Sequence, residues 1–187
     1  MHKVKHNTKR LITSIKWVIF SIVVGIVAGS CGTAFYFALS VVTDFRMKYP
    51  WLIYFLPIGG LAIVGLYHLC KDDNDTGTNL VISAIHSGDK VPFIMAPLIF
   101  VSTLITHLFG GSAGREGAAL QMGGSIGSSI GRVFRFDEKD KHVMIMCGMS
   151  AAFSALFGTP MAAAIFSMEM ISVGVMYYIC LLYTSDA

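Results

Sequence analysis

The stretch HLFGGSAGREGAALQMGGSIG, residues 107 to 127, sets Arg115 beside Glu116 among glycines and alanines, in a chain that is otherwise mostly apolar. Two opposite charges in such surroundings need a reason, and the reason depends on the setting. Of 187 residues, 55% are hydrophobic and only 13% charged. The mean hydropathy of +0.67 is above what a soluble domain carries. Composition therefore places the chain in a membrane. Crossing about 30 Å of hydrocarbon takes roughly 20 residues per helix, which leaves room for about five or six segments.

On the amino side of the quoted stretch, Pro92 to Gly110 forms a full apolar segment. On the carboxyl side, Ala118 to Val133 is weakly apolar and rich in small residues: Gly123, Gly127 and Gly131 recur every four positions, as do Gly124 and Ser128. That spacing lines one helix stripe along which another helix backbone can come close. A glycine-rich nucleotide loop would need GxxxxGK[ST] within a soluble βαβ unit, and the sequence offers neither.

Further out, Trp17 to Val42 predicts a long first membrane helix, with Thr43 to Pro50 as a polar turn because proline disfavours helix just before it. Trp51 to Cys70 runs back across, its Trp51 and Tyr54 suited to an interfacial belt and its Pro57-Ile58-Gly59-Gly60 expected to kink it. Lys71 to Gly77 is the most polar loop, and residues 78 to 90 have helical character but are too short to span. Arg132 to Lys141 reads as a charged loop. His142 to Phe157 and Met161 to Leu182 are apolar segments parted by Gly158-Thr159-Pro160, where a Thr cap and an early proline predict a new helix. Uneven segment lengths point to helices that stop part-way through the membrane around a buried site.

The formal charge is +3, but position says more than sum. Lys3, Lys5, Lys9, Arg10 and Lys16 crowd residues 1–16, which we therefore expect to be a cytoplasmic basic N-terminus. Anionic lipid explains that run better than nucleic acid does. Ile15 to Val42 is too long for a signal-peptide core of about 7 to 15 residues, although a small-residue site occurs at Ala28-Gly29-Ser30. Cys31, Cys70, Cys147 and Cys180 are widely spaced and read as packing residues. The histidines, among them His68, His86, His107 and His142, show no metal-binding spacing, so neither metal nor cofactor is expected.

A half-helix beginning at membrane depth aims unpaired N–H groups and a partial positive charge at whatever lies off its amino end, and an anion is the natural occupant. Two stretches have the right make-up: Gly77-Thr78-Asn79 ahead of residues 80 to 87, and Gly114-Arg115-Glu116-Gly117 ahead of the small-residue helix. A carboxylate at the bilayer centre costs about 2.5 to 3.5 kcal/mol, so Glu116 needs a partner or a task. If a mobile anion also uses that helix end, carboxylate and anion compete for the same N–H groups, and protonation of the carboxyl links proton uptake to anion binding. Structural alternatives stay open at this point: Glu116 could pair with Arg115 or cap the helix, and Thr78 or Asn79 could serve only as an N-cap.

With its flanks, GREGA at 114 to 118 resembles the CLC family of anion channels and proton-coupled anion antiporters, whose GREGP stretch opens a helix in the same manner. GTNLV at 77 to 81 resembles that family's GSGIP stretch, and GTPMAAAIFSMEM at 158 to 170 its helix with an early proline and a late acid. The resemblance covers most of residues 15 to 180. It implies an all-α polytopic membrane fold of tilted, broken helices, the first of two inverted repeats, with residues 17–180 as the N-terminal half of the transport domain. It further implies a homodimer in a prokaryotic cytoplasmic membrane, and Glu116 as the gating and proton-accepting carboxylate. Gly77, Thr78, Asn79, Leu80 and Val81, with Gly114, Arg115, Gly117 and Ala118, would hold a chloride or fluoride ion. Gln121 and Gly123 would share one helix face, in packing.

Departures from the family pattern are informative. Ala118 in place of proline, and Val81 likewise, are similar to the fluoride-exporting branch. The acid that relays protons internally in chloride antiporters aligns with Met170, Glu169 falling one residue early. Residues 181–187 interrupt an apolar helix without a cap or basic stop and are expected to be a truncated or artefactual end. A non-transporting membrane scaffold, its glycines serving only as packing surfaces, is the alternative function. An acid–base enzyme built on Glu116 and His107 lacks any nucleophile or metal constellation.

Overall fold

The structure, a computed structural model, describes residues 2–70 and 91–169. Within these every regular element is helical. Helix α1 runs His2–Lys48, a 3₁₀ helix follows at Pro50–Phe55, and α2 covers Leu56–Leu69. Beyond the undescribed segment come α3, Met95–Leu108, α4, Arg115–Val133, and α5, Glu138–Phe157. A last helix, α6, starts at residue 160 and is described to 169.

Helix α1 continues through the residues expected to turn. Thr43 satisfies its own neighbourhood by donating to the Leu39 carbonyl at 2.7 Å, and Arg46 and Lys48 in the last turn suit the negative end of the helix dipole. Pro50 then stops it. Pro57 does not kink a helix: it lies in the first turn of α2, where its missing N–H costs no hydrogen bond, and the chain changes there from 3₁₀ to α. The charged segment 132–141 contributes the last turn of α4 and the first of α5, leaving only a short link between them.

The centre of the fold is the pairing of α4 with α5, to which α1 adds the next most extensive contact. The predicted glycine stripe causes that intimacy. A Cβ on Gly123 would collide with the Gly148 carbonyl, one on Gly127 with the Met144 carbonyl, and one on Gly148 with the Gly123 carbonyl. The two backbones therefore touch, as small-residue packing in membranes allows. On α1 a Cβ at Gly32 would fall 2.8 Å from the Ala152 carbonyl oxygen of α5. Gly123 thus faces α5. Residues two apart point to opposite sides of a helix, so Gln121, half-buried, does not share that face.

Around this contact lies an apolar cluster of Phe35 and Leu39 from α1, Met95 and Ile99 from α3, Met122 from α4, and Met149 from α5. Over residues 15–48 of α1 only one stripe is buried, through Val24, Ala28, Phe35 and Leu39. Its other faces present Ile19, Ile22, Ile26, Phe37 and Val41, and α2 presents Leu61, Val64 and Leu69. A soluble monomer rarely exposes so much contiguous apolar surface. Ile15–Lys48 and Pro50–Leu69 are long and apolar enough to cross a membrane, and in the second only 6% of the most apolar window is buried in the protein. Lipid is the solvent those faces fit.

Candidate functional site

The site begins where α3 ends. Gly110, at φ +82°, is the left-handed residue of a Schellman close: its N–H donates to the His107 carbonyl at 3.1 Å, and the Gly111 N–H reaches back to the Thr106 carbonyl at 2.8 Å. Glycine is favoured at both places. An L-residue at 110 would carry the left-handed backbone penalty, and a Cβ on Gly111 would fall 2.7 Å from the Thr106 methyl. The chain then runs without regular structure to Gly114, which is extended (φ −68°, ψ 120°) and opens α4 as its N-cap without any side-chain capping bond.

Arg115, Glu116 and Gly117 form the first turn of α4, with Ala118 already buried behind them. The first four N–H groups of a helix have no intrahelical partner, so this end carries free donors and partial positive charge. Glu116 is exposed on this chain and, among the described residues, makes neither an ion pair nor a hydrogen bond. Both structural alternatives for it, pairing with Arg115 and capping the helix, are therefore unrealised in this arrangement. His107 is committed elsewhere, its Nδ1 donating to the Thr103 carbonyl at 2.9 Å.

Below its first turn, α4 is held rigidly. Residues 118–120 and 122–128 are buried. The fully buried Ser125 donates to the Pro92 carbonyl at 2.8 Å, and Arg132 donates to the Val91 carbonyl at 2.8 Å and to the Ser129 hydroxyl at 3.0 Å. The chain entering α3 is thereby tied to the helix that carries Glu116. The other expected anion-binding stretch, Gly77, Thr78, Asn79, Leu80 and Val81, lies outside the described residues, as do Met170 and residues 181–187.

At residue 160 the structure follows the sequence closely. Gly158 (φ +70°) closes α5 with its N–H on the Ser154 carbonyl at 2.8 Å, and the Thr159 carbonyl accepts the Ala163 N–H at 2.9 Å, making Thr159 the N-cap of α6. Sequence reasoning missed Arg46. This side chain comes from the far end of α1 and lays its guanidinium over Gly110. Only the glycine itself, with open space above its Cα, could have pointed to it.

Comparison with known proteins places these features. The family described as voltage gated chloride channel matches residues 59–183. A curated chloride/fluoride channel protein of Pseudomonas syringae pv. tomato is 42% identical over 164 residues, covering 87% of this chain and 36% of that protein. An H(+)/Cl(−) exchange transporter ClcA of Vibrio campbellii is 27% identical over 172 residues, covering 84% of this chain and 37% of the relative. The crystal structure of a CLC-type fluoride/proton antiporter superposes with a TM-score of 0.75 at 41% identity, over 81% of this chain and 38% of that one. The chain thus spans little more than a third of the length of the relatives it matches.

Proposed function

Since this chain belongs to the voltage-gated chloride channel family, we propose that residues 17–180 form the N-terminal half of a transmembrane halide transporter in which Glu116 is the gating and proton-accepting carboxylate. The observation that carries this reading is the state of the α4 amino end. It has free N–H groups, no side-chain cap, and a carboxylate in its first turn that no described residue engages.

Such an end attracts an anion, and two anions are on offer. The Glu116 carboxylate can fold back onto the N–H groups of residues 115 to 118, or a halide can occupy them. Like charges exclude each other from one site, so the halide gains the position when the carboxyl is protonated or swung aside. Gly114, Arg115, Gly117 and Ala118 contribute backbone donors and the room for close approach. Gly77, Thr78, Asn79, Leu80 and Val81 form the opposing half of the binding site in this proposal. Fluoride is the favoured substrate: the relatives whose names include fluoride are 42% and 41% identical to this chain, against 27% for a chloride exchanger. The full-length gene product is a homodimer of the prokaryotic cytoplasmic membrane, and residues 1–16 stay on the cytoplasmic side.

Reconstitution of that full-length product in liposomes tests the reading. Glu116→Gln should uncouple halide flux from proton movement or stop turnover altogether, while the protein remains folded. Proton-coupled fluoride or chloride exchange that survives the substitution unchanged would remove Glu116 from the mechanism. A membrane scaffold would pass no halide in either form.

A further inference from the structure

Beside the α4 amino end, and walled on its other side by α1, lies a cavity of about 330 Å³ whose lining includes Thr43, Arg46, His107, Ser112 and Arg115. Its chemistry sets it apart, because two other cavities are lined mainly by apolar groups such as Phe93 and Ile126. Among the described residues no carboxylate lines it. Two guanidiniums face it, and among the described residues neither the Arg46 nor the Arg115 side chain has a hydrogen-bond or ion-pair partner. Thr43 and His107 have spent donors on the Leu39 and Thr103 carbonyls, which leaves the guanidiniums and the Ser112 hydroxyl as side-chain donors.

The placement of Arg46 is specific. Its Nε lies 2.8 Å from where a Cβ on Gly110 would stand, so the half-buried guanidinium rests on the turn ahead of α4. Glycine is what admits it there. The cavity is several times the roughly 30 Å³ that one water occupies, enough for a small anion that keeps part of its hydration.

We propose that Arg46, Arg115 and Ser112 form a receiving site that holds a partly hydrated halide before it reaches the α4 amides, with Arg46 as the residue that sets its affinity. This rests on the transport reading above and extends it to a second, more peripheral position. Fixed cationic groups around a cleft raise the local concentration of a counter-ion and speed its capture. They act on approach and leave the exchange at Glu116 to the helix end.

The test uses the full-length gene product in liposomes, with initial flux measured against external fluoride and chloride concentration, and halide binding to the same preparations followed by calorimetry. Arg46→Ala should raise the half-saturating halide concentration about fivefold, the scale of one lost charge-assisted contact, with less than a twofold change in saturated rate and in proton coupling. Arg46→Lys should recover most of that loss, and raising ionic strength with an impermeant salt should shrink the difference between wild type and Arg46→Ala. Unchanged concentration dependence in Arg46→Ala, with wild type transporting normally, overturns the receiving site and spares the transport reading. Failure of the lysine variant to recover overturns it in favour of a structural clamp on Gly110. An effect that tracks the headgroup composition of the vesicles and not halide concentration overturns it in favour of lipid phosphate. Wild-type protein that neither transports nor binds halide removes the transport reading, and the receiving site with it.

Discussion

Arg135 occupies left-handed backbone (φ 51°) where the chain leaves α4. Its turn is the same kind that ends α3: the Phe136 N–H reaches the Gly131 carbonyl at 3.0 Å and the Arg135 N–H the Arg132 carbonyl at 3.0 Å. At the end of α3 that position is filled by Gly110, which bears no penalty, whereas an L-residue with a side chain forfeits about 1 to 2 kcal/mol there. Arg135→Gly should therefore stabilise the protein by about 1 kcal/mol, seen as a higher midpoint in thermal unfolding of detergent-solubilised protein. Gly110→Ala should do the reverse and cost at least as much, because the added methyl also displaces the Arg46 guanidinium. Equal midpoints for the two variants would mean that neither turn has the geometry described. Residue type is compatible with one of these turns and hides the other. Gly110 announces itself by residue type, whereas an arginine in the same conformation is set there by the packing of Phe134 and Phe136 on either side of it.

At the scale of elements, the contact that matters most is the one between α4 and α5. It was legible from residue spacing because close backbone approach has a direct signature, a small residue every fourth position. The partner groove was not legible. Gly148 is a lone glycine in an apolar run, and only the structure reveals that it meets Gly123 and Gly127. The expected face shared by Gln121 and Gly123 failed for a geometric reason, since two residues advance a helix by more than half a turn. The length of α1 was underestimated because a polar segment at a membrane surface can stay helical when its own hydroxyl and basic side chains satisfy the helix end. Gly148→Ala puts a methyl against the Gly123 carbonyl, and the helices must part or bend. A loss of about 1 to 3 kcal/mol is expected, larger than for Gly29→Ala or Gly60→Ala, where a Cβ meets nothing within 4 Å. Thermal unfolding of the three variants side by side checks the order. Because α4 carries Glu116 at its start, the first of these should also lower halide flux, if the transport reading holds, while the other two leave it near wild type.

On the scale of the whole molecule, the helices define two ends, and the chemistry of each end is different. Trp17 stacks on Phe136 with ring centroids 6.0 Å apart, and Lys16 sits 4.6 Å above the Phe136 ring, so the early part of α1 and the α4–α5 link lie together. Arg46 at the other end of α1 rests on Gly110, so the α1 terminus, the α3–α4 turn and the start of α4 share the opposite end. If residues 1–16 stay in the cytoplasm as proposed, since basic residues ahead of a first span favour that side, Asp137 lies inside and Ser112, Arg115 and Glu116 lie toward the outer face. The helix end proposed to receive the anion then opens outward, with the cationic cavity between it and α1. Single cysteines at positions 112 and 137, in a background where the native cysteines are replaced by serine or alanine, test this arrangement in intact cells with a membrane-impermeant maleimide. Ser112→Cys should label from outside and Asp137→Cys only after the membrane is permeabilised. The inverse pattern would turn the whole structure over in the bilayer, and with it the direction from which a halide first meets Arg46. Labelling of both positions from outside would be incompatible with α4 crossing the membrane at all.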